Sequence, residues 1–319
     1  EGERSMRLDS PFPWFGGKRK VAAQVWRRFG RVVNYVEPFF GSGAVLLGRP
    51  EPLIGPETVN DLDGFIANFW RAIKAMPEAV AEHADNPVNE NDMHARHAWL
   101  VGQRETLRAR LEGDPDFFDA KIAGWWVWGI CCWIGSGFCS GAGPWSVVDG
   151  QLVHLGDNGR GVNRKLVHLG DNGRGHPCSS WFAALSDRLR AVRVCSGDWS
   201  RVCGPSVTSK HGMTAVFLDP PYADTADRAA DLYREDSLDV AHAVREWAVA
   251  NGGDPRLRIA LCGYEGEHAM PSDWAVEEWN AGEGFGGQGD ERTGNGRRER
   301  IWYSPACLAA QRSLFEPAS

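Results

Sequence analysis

Apolar residues along the chain fall into two rhythms. Short runs rich in β-branched residues, bounded by Gly, Pro or Asp, predict buried strands over Val32–Val36, Glu57–Asn60, Ala191–Cys195, Ala215–Leu218 and Arg258–Cys262. Between them, apolar positions three and four apart predict helices over Arg19–Phe29, Phe65–Met76, Ser180–Leu189 and Asp239–Ala250, with a further helical start at Ala44–Leu47. Strands alternating with helices imply an α/β fold around a largely parallel sheet. Trp274–Trp279 and Arg300–Tyr303 read as a closing hairpin around a Gly- and Arg-rich loop, 282–298.

From Pro77 onward the character changes. Helices are expected near Met93–Leu111 and Phe117–Ile134, joined by the acidic turn Glu112–Asp116. The second helix carries Trp125, Trp126, Trp128 and Trp133 and is apolar most of the way round, so it is buried. A glycine-rich loop, Gly135–Trp145, follows. Then LVHLGDNGRG occurs twice without change, at 152–161 and 166–175. Each copy reads as a short strand and an Asn-Gly turn, and the two strands are expected to pair as a hairpin. Two copies are too few for a solenoid. The expected fold class is α/β: a Rossmann-like sheet formed by residues 6–76 and 192–312, with an inserted, mainly helical domain carrying a β-hairpin over 77–191.

With 319 residues the chain can bury an ample core. The most apolar segment, Ile122–Ile134, is too short to cross a bilayer. No signal peptide is expected, and Glu1–Ser5, ahead of Met6, are set aside from the fold argument. Eight cysteines without regular spacing suit a reducing, cytoplasmic setting. Cys131, Cys132, Cys139 and Cys178 with His154, His168 and His176 lack a C-x-x-C pair, so no metal is expected. The net charge of −7 does not advertise a nucleic-acid binder. Its distribution changes that picture: Ala120–Val194 holds eight Lys/Arg against four acids, and Arg292, Arg297, Arg298 and Arg300 cluster further on. Asn158, Arg160, Arg164, Lys165, Asn172 and Arg174, with Arg297 and Arg298, are the candidate nucleic-acid contacts, because Asn suits adenine edges and Arg suits guanine or phosphate. A solvated, decorated hairpin explains the same residues as readily.

Three stretches carry candidate chemistry. A strand, then Glu37-Pro38-Phe39-Phe40-Gly41-Ser42-Gly43, then a helix form a nucleotide-binding opening, but Leu46 stands where a dinucleotide fingerprint has its third glycine. A smaller adenosine ligand suits it better than NAD. Asp61, at the end of the next strand, is placed to accept hydrogen bonds from ribose hydroxyls, with Leu62 against the adenine face. Asp219-Pro220-Pro221-Tyr222 ends a buried strand in a stiff turn, since neither proline donates a backbone hydrogen bond. Upstream, PFPWFGGKRK delivers Trp14 and Lys18 from a Gly-Gly turn that lacks P-loop spacing.

In this order, FPWFGGK, VEPFFGSG, the ND of VNDLD and LDPPY resemble the DNA adenine-N6 methyltransferases of the Dam type, over most of residues 11–75 and 179–305. The segment NGRRERIWY is similar to that family's closing strand. The family's polar signature near the end of the apolar helix is replaced here by Gly129-Ile130-Cys131-Cys132-Trp133, so no target sequence carries over. The resemblance implies that S-adenosylmethionine is held by Trp14, Gly17, Lys18, Asp61 and Asp219, with Glu37, Pro38, Phe39, Gly41 and Gly43 under its methionine part. It implies that Asp198 and Trp199 hold the adenine of the cofactor opposite Leu62. Asp219 and the Pro220 carbonyl would accept the two N–H bonds of a flipped-out adenine amino group, and Tyr222 would stack on the base. Double-stranded DNA is the implied partner, with no membrane, and a monomer or weak dimer in a bacterial or phage-infected cell is expected. Rival readings are an amino-group methyltransferase on RNA or protein, transfer of a non-methyl group to DNA adenine, and a catalytically dead DNA-binding module.

Overall fold

A computed structural model describes residues 8–14, 17–50, 54–133, 138–139, 145–148, 151–154, 178–221, 232–279 and 299–309. Seven strands form one mixed sheet: β1 (Asn34–Glu37), β2 (Glu57–Asp61), β5 (Val192–Ser196), β6 (Thr214–Leu218), β7 (Leu257–Tyr264), β8 (Ala275–Glu278) and β9 (Glu299–Tyr303). Their order across the sheet is β5-β2-β1-β6-β7-β9-β8. The first five run parallel, and β9 lies antiparallel between β7 and β8. The doubly wound topology reverses between β1 and β6, and such a switch point opens a crevice beyond the carboxyl ends of its strands. The VEPFFGSG turn leaves β1 there, and Asp219 leaves β6 beside it. β6 is buried along its whole length, as a central parallel strand covered on both faces should be.

Eight helices are described: α1 (Ala22–Phe29), α2 (Ala44–Leu47), α3 (Gly64–Ala75), α4 (Pro77–Ala84), α5 (Glu90–Gly113), α6 (Ala120–Cys132), α7 (Cys178–Leu189) and α8 (Leu232–Asn251). Asp63, Asn89 and Asp119 cap α3, α5 and α6 with side-chain oxygens that accept backbone N–H groups. The pattern placed a helix stop at Pro77, whereas Pro77 is the first residue of α4. Its missing N–H costs nothing at a helix start, so the residue that ends α3 opens the next helix.

The helices of 77–191 share one core with the sheet. Phe12 packs edge-on against Phe69 and Trp126, at 5.4 and 4.9 Å between ring centroids, and Phe69 meets Phe182 at 5.9 Å. Asn68 and Asp119 exchange hydrogen bonds of 2.9 and 2.7 Å and so pin the start of α6 to α3. Four of the cysteines, Cys131, Cys132, Cys139 and Cys178, are buried free thiols in this core.

A second, two-stranded sheet is described. β4 (Gln151–His154), which begins the first repeat copy, pairs with β3 (Trp145–Val148), a strand the glycine-rich pattern hid. The second copy lies outside the described residues, as do Asn158, Arg160, Arg164, Lys165, Asn172, Arg174, Tyr222, Arg297 and Arg298. Two arginines counted toward the basic surplus are spoken for internally. Arg188 binds Glu57 twice, at 2.6 and 2.9 Å, and Arg300 sits between Glu265 and Glu278 at 3.1 and 3.2 Å.

Candidate cofactor and active site

Asn60 and Asp61 knot three strand ends together. The buried Asn60 amide donates to the Pro38 carbonyl at 3.1 Å after β1 and to the Gly197 carbonyl at 2.9 Å after β5. Asp61 accepts the Gly41 N–H at 2.8 Å and the Asp63 N–H at 2.9 Å. The carboxylate expected to meet a ribose therefore also holds the glycine turn in place. The cleft desolvates Asp61 and pushes its carboxyl up to about 7, against the two backbone donors and with Asp63 adding repulsion.

Gly41 and Gly43 are required here by geometry. Both have positive φ, 48° and 69°. A Cβ on Gly41 would stand 2.8 Å from the Trp14 indole nitrogen, and one on Gly43 would stand 2.9 Å from the Phe40 ring. The Gly41 carbonyl accepts the Trp70 indole N–H at 2.9 Å. Trp14 thus lies on the turn, still 39 % exposed, and Leu62 is 55 % exposed nearby in sequence to Asp61.

Lys18 opens a short 3-10 turn, Lys18–Lys20, entered through Gly17, and is only 4 % exposed. Its ammonium lies 2.9 Å from Asp219 Oδ2 and 3.8 Å from Glu299 Oε2, with the Trp279 ring centroid at 5.2 Å. Burial alone would lower the Lys18 pKa, but Asp219, Cys262 and Glu299 outweigh it and the net shift is upward. The Cys262 thiol hydrogen-bonds Asp219, and burial pushes it well above the ordinary thiol range. Glu37, buried at the end of β1, accepts the Tyr35 hydroxyl at 2.7 Å; burial still drives its carboxyl well up, and the Asp219 charge adds to the shift. Burial raises Glu299 to about 7 despite Lys18. One lysine therefore stands near two buried carboxyls, Glu37 and Glu299, both with raised pKa values, and the half-buried Asp219.

Trp199 follows β5 as expected, but its ring stacks on Phe39 at 6.2 Å. Asp198 caps the turn Trp199–Val202 through the Ser200 N–H at 2.9 Å. Pro220 is buried and Pro221 exposed at the mouth of the cleft. Glu299, Cys262 and Trp279 were not singled out from the sequence. What marks Glu299 is its place in the structure, an all-buried position of the closing strand, where a charge needs a partner.

Among the described residues no helix is long and apolar enough to cross a membrane. No curated protein matches the chain significantly. The sheet is consistent with a methyltransferase fold, and Asp219 lies outside the segment that a family model recognises. That segment, residues 14–106, spans Trp14, Lys18, the glycine turn and Asp61, and it matches the family described as D12 class N6 adenine-specific DNA methyltransferase.

Proposed function

We propose that the protein transfers a methyl group from S-adenosylmethionine to the N6 amino group of adenine in double-stranded DNA. The family match over 14–106 supports DNA adenine methylation as the activity. The observation that carries the reading is the buried Lys18–Asp219 contact of 2.9 Å at the topological switch point, beside the Gly41–Gly43 turn. It links Lys18 of the first motif to Asp219 of the last, and Trp14 lies against Gly41 of the glycine turn, which supports the reading.

The donor set fits the cofactor. A cluster with more carboxyls than cations favours a sulfonium, Asp61 suits the ribose hydroxyls, and Trp14 and Leu62 offer apolar surface to a purine. When bound, S-adenosylmethionine supplies an activated methyl group on a positively charged sulfur. This chain's own residues then do the rest. Asp219 and the Pro220 carbonyl accept the two amino N–H bonds of the adenine and draw the nitrogen lone pair out of ring conjugation. Lys18 fixes the Asp219 rotamer, and the two prolines fix where the carbonyl points. Tyr222 stacks on a base flipped from the duplex. Residues 77–191 serve as the target-recognition part, with residues of the repeat and Arg297 and Arg298 against DNA.

Mass analysis of nucleosides from duplex DNA incubated with protein and S-adenosylmethionine tests this. N6-methyladenine is expected, and Asp219→Ala should lower its formation by about 100-fold or more while melting like the wild type. Wild-type methylation by folded Asp219→Ala overturns the assignment.

A further inference from the structure

The reaction just described leaves Glu299 without a part. Glu299 opens β9 opposite Tyr264 at the end of β7, and it is 5 % exposed. Among the described residues its Oε2 atom accepts no hydrogen bond, although it lies 3.8 Å from the Lys18 ammonium. A buried carboxylate oxygen without a donor is destabilising by about 1–3 kcal/mol or more, so its persistence points to a use elsewhere.

The titratable groups near it come from three elements: Lys18 from the 3-10 turn, Asp219 from the end of β6 and Cys262 from β7, with the Trp279 ring beside the Lys18 ammonium. Its chain neighbour Arg300 reaches Glu265 and Glu278 and donates to the Glu299 backbone carbonyl, at 3.1 Å. Among the described residues the single positive charge of Lys18 therefore lies within 4 Å of two carboxylates, at 2.9 and 3.8 Å.

We propose that Glu299 is a positioning residue that divides Lys18 between itself and Asp219, and so sets how strongly Asp219 accepts the amino N–H of the target adenine. This rests on the methyltransferase reading above. When Glu299 is ionised it draws Lys18 toward itself, and the Asp219 charge is left for the substrate. When Glu299 is protonated, Lys18 neutralises Asp219 alone and the acceptor weakens. Burial holds the Glu299 carboxyl at about 7, so the two states exchange near neutral pH.

The test is the pH dependence of kcat in single- and multiple-turnover DNA methylation, with the infrared carboxyl bands of the free protein as a second readout. In the wild type, kcat should rise through about pH 7 while the KM for DNA stays level. Glu299→Gln should lose that limb and run roughly tenfold below the wild-type plateau. Glu299→Asp, one methylene further from Lys18, should keep the limb but move it to higher pH. In the infrared titration a protonated-carboxyl band should vanish with a midpoint near 7, and the wild-type minus Glu299→Gln difference should assign it, since Asp61 titrates in the same range. A wild-type limb retained in Glu299→Gln, an unmoved limb in Glu299→Asp, or no difference band overturns the proposal; should Glu299→Gln not fold, the Glu299→Asp limb decides. If the wild type leaves DNA adenine unmodified, the methyltransferase reading fails, and the infrared titration still decides whether Glu299 ionises near neutrality.

Discussion

Two buried ion clusters sit at opposite ends of the same sheet, and they are built on opposite terms. At the amino end, Glu57 lies between two arginines: Arg49 at 2.8 Å and Arg188 at 2.6 Å. Every remaining contact there is filled. Arg49 also donates to the Val32 and Ile54 carbonyls at 3.0 and 3.1 Å, and Arg188 donates to the Leu46 carbonyl at 3.1 Å. At the carboxyl end a lone lysine faces Asp219 and Glu299, with Glu37 adding a third carboxyl and one Glu299 oxygen left undonated among the described residues. The first cluster satisfies itself. The second is poised for something that is not part of the chain. Burial of charge is thus common to both; what separates these two clusters is whether the carboxylate's hydrogen bonds close.

That contrast can be broken experimentally. Glu57→Ala should be the most damaging change, because it strands two buried guanidinium groups; a loss of about 3–5 kcal/mol is expected in denaturant unfolding. Lys18→Met should act differently. Its stability near pH 6 should stay within about 1 kcal/mol of wild type, because Glu299 can hold a proton there, while methyl transfer falls by about 100-fold as Asp219 loses the contact that fixes its rotamer. If Lys18→Met unfolds the protein as Glu57→Ala does, the two clusters are not of different kinds. The smallest effect should appear in the unmodified protein. Asp61 and Glu299 are raised from 3.8 and 4.5 to about 7, so the folded state holds protons that the unfolded chain has released. Their contribution to stability is present below about pH 4 and is lost as pH rises through about 7. Thermal melting of the free protein should fall by a few degrees between about pH 5 and 8, and Glu299→Gln should flatten that slope. A melting temperature that climbs over this range contradicts the assignment.

The sheet was legible because its strands are buried on both faces, which leaves short apolar runs that periodicity finds directly. Glu57–Asp61, Val192–Ser196 and Thr214–Leu218 fall within a residue or two of expectation. Two elements were missed for local reasons. Pro77 is ambiguous in sequence because the same ring that forbids continuing one helix suits the first turn of another. Trp145–Val148 was obscured by the glycines before it, although it pairs with Gln151–His154. In the site, Lys18, the glycine turn, Asp61 and Asp219 were visible as motifs, and the structure brings Lys18 to Asp219 and Asp61 to Gly41. Glu299 was not, because a lone glutamate beside arginines reads as a solvated surface pair. Only the register of β9 against β7 turns it inward. Nor could sequence foretell that Asp61 fastens Gly41, since a backbone N–H leaves no trace in residue type.

The placement of β9 between β7 and β8 has a consequence for synthesis of the chain. Lys18 precedes every described strand, yet its carboxylate partner Glu299 lies on the last of the described elements. Until β9 inserts, β7 and β8 have no common neighbour and the lysine lacks part of its enclosure. A nascent chain can carry Trp14, Lys18, the glycine turn and Asp219 and still have an open cluster, so the reaction centre is completed only when β9 has been made.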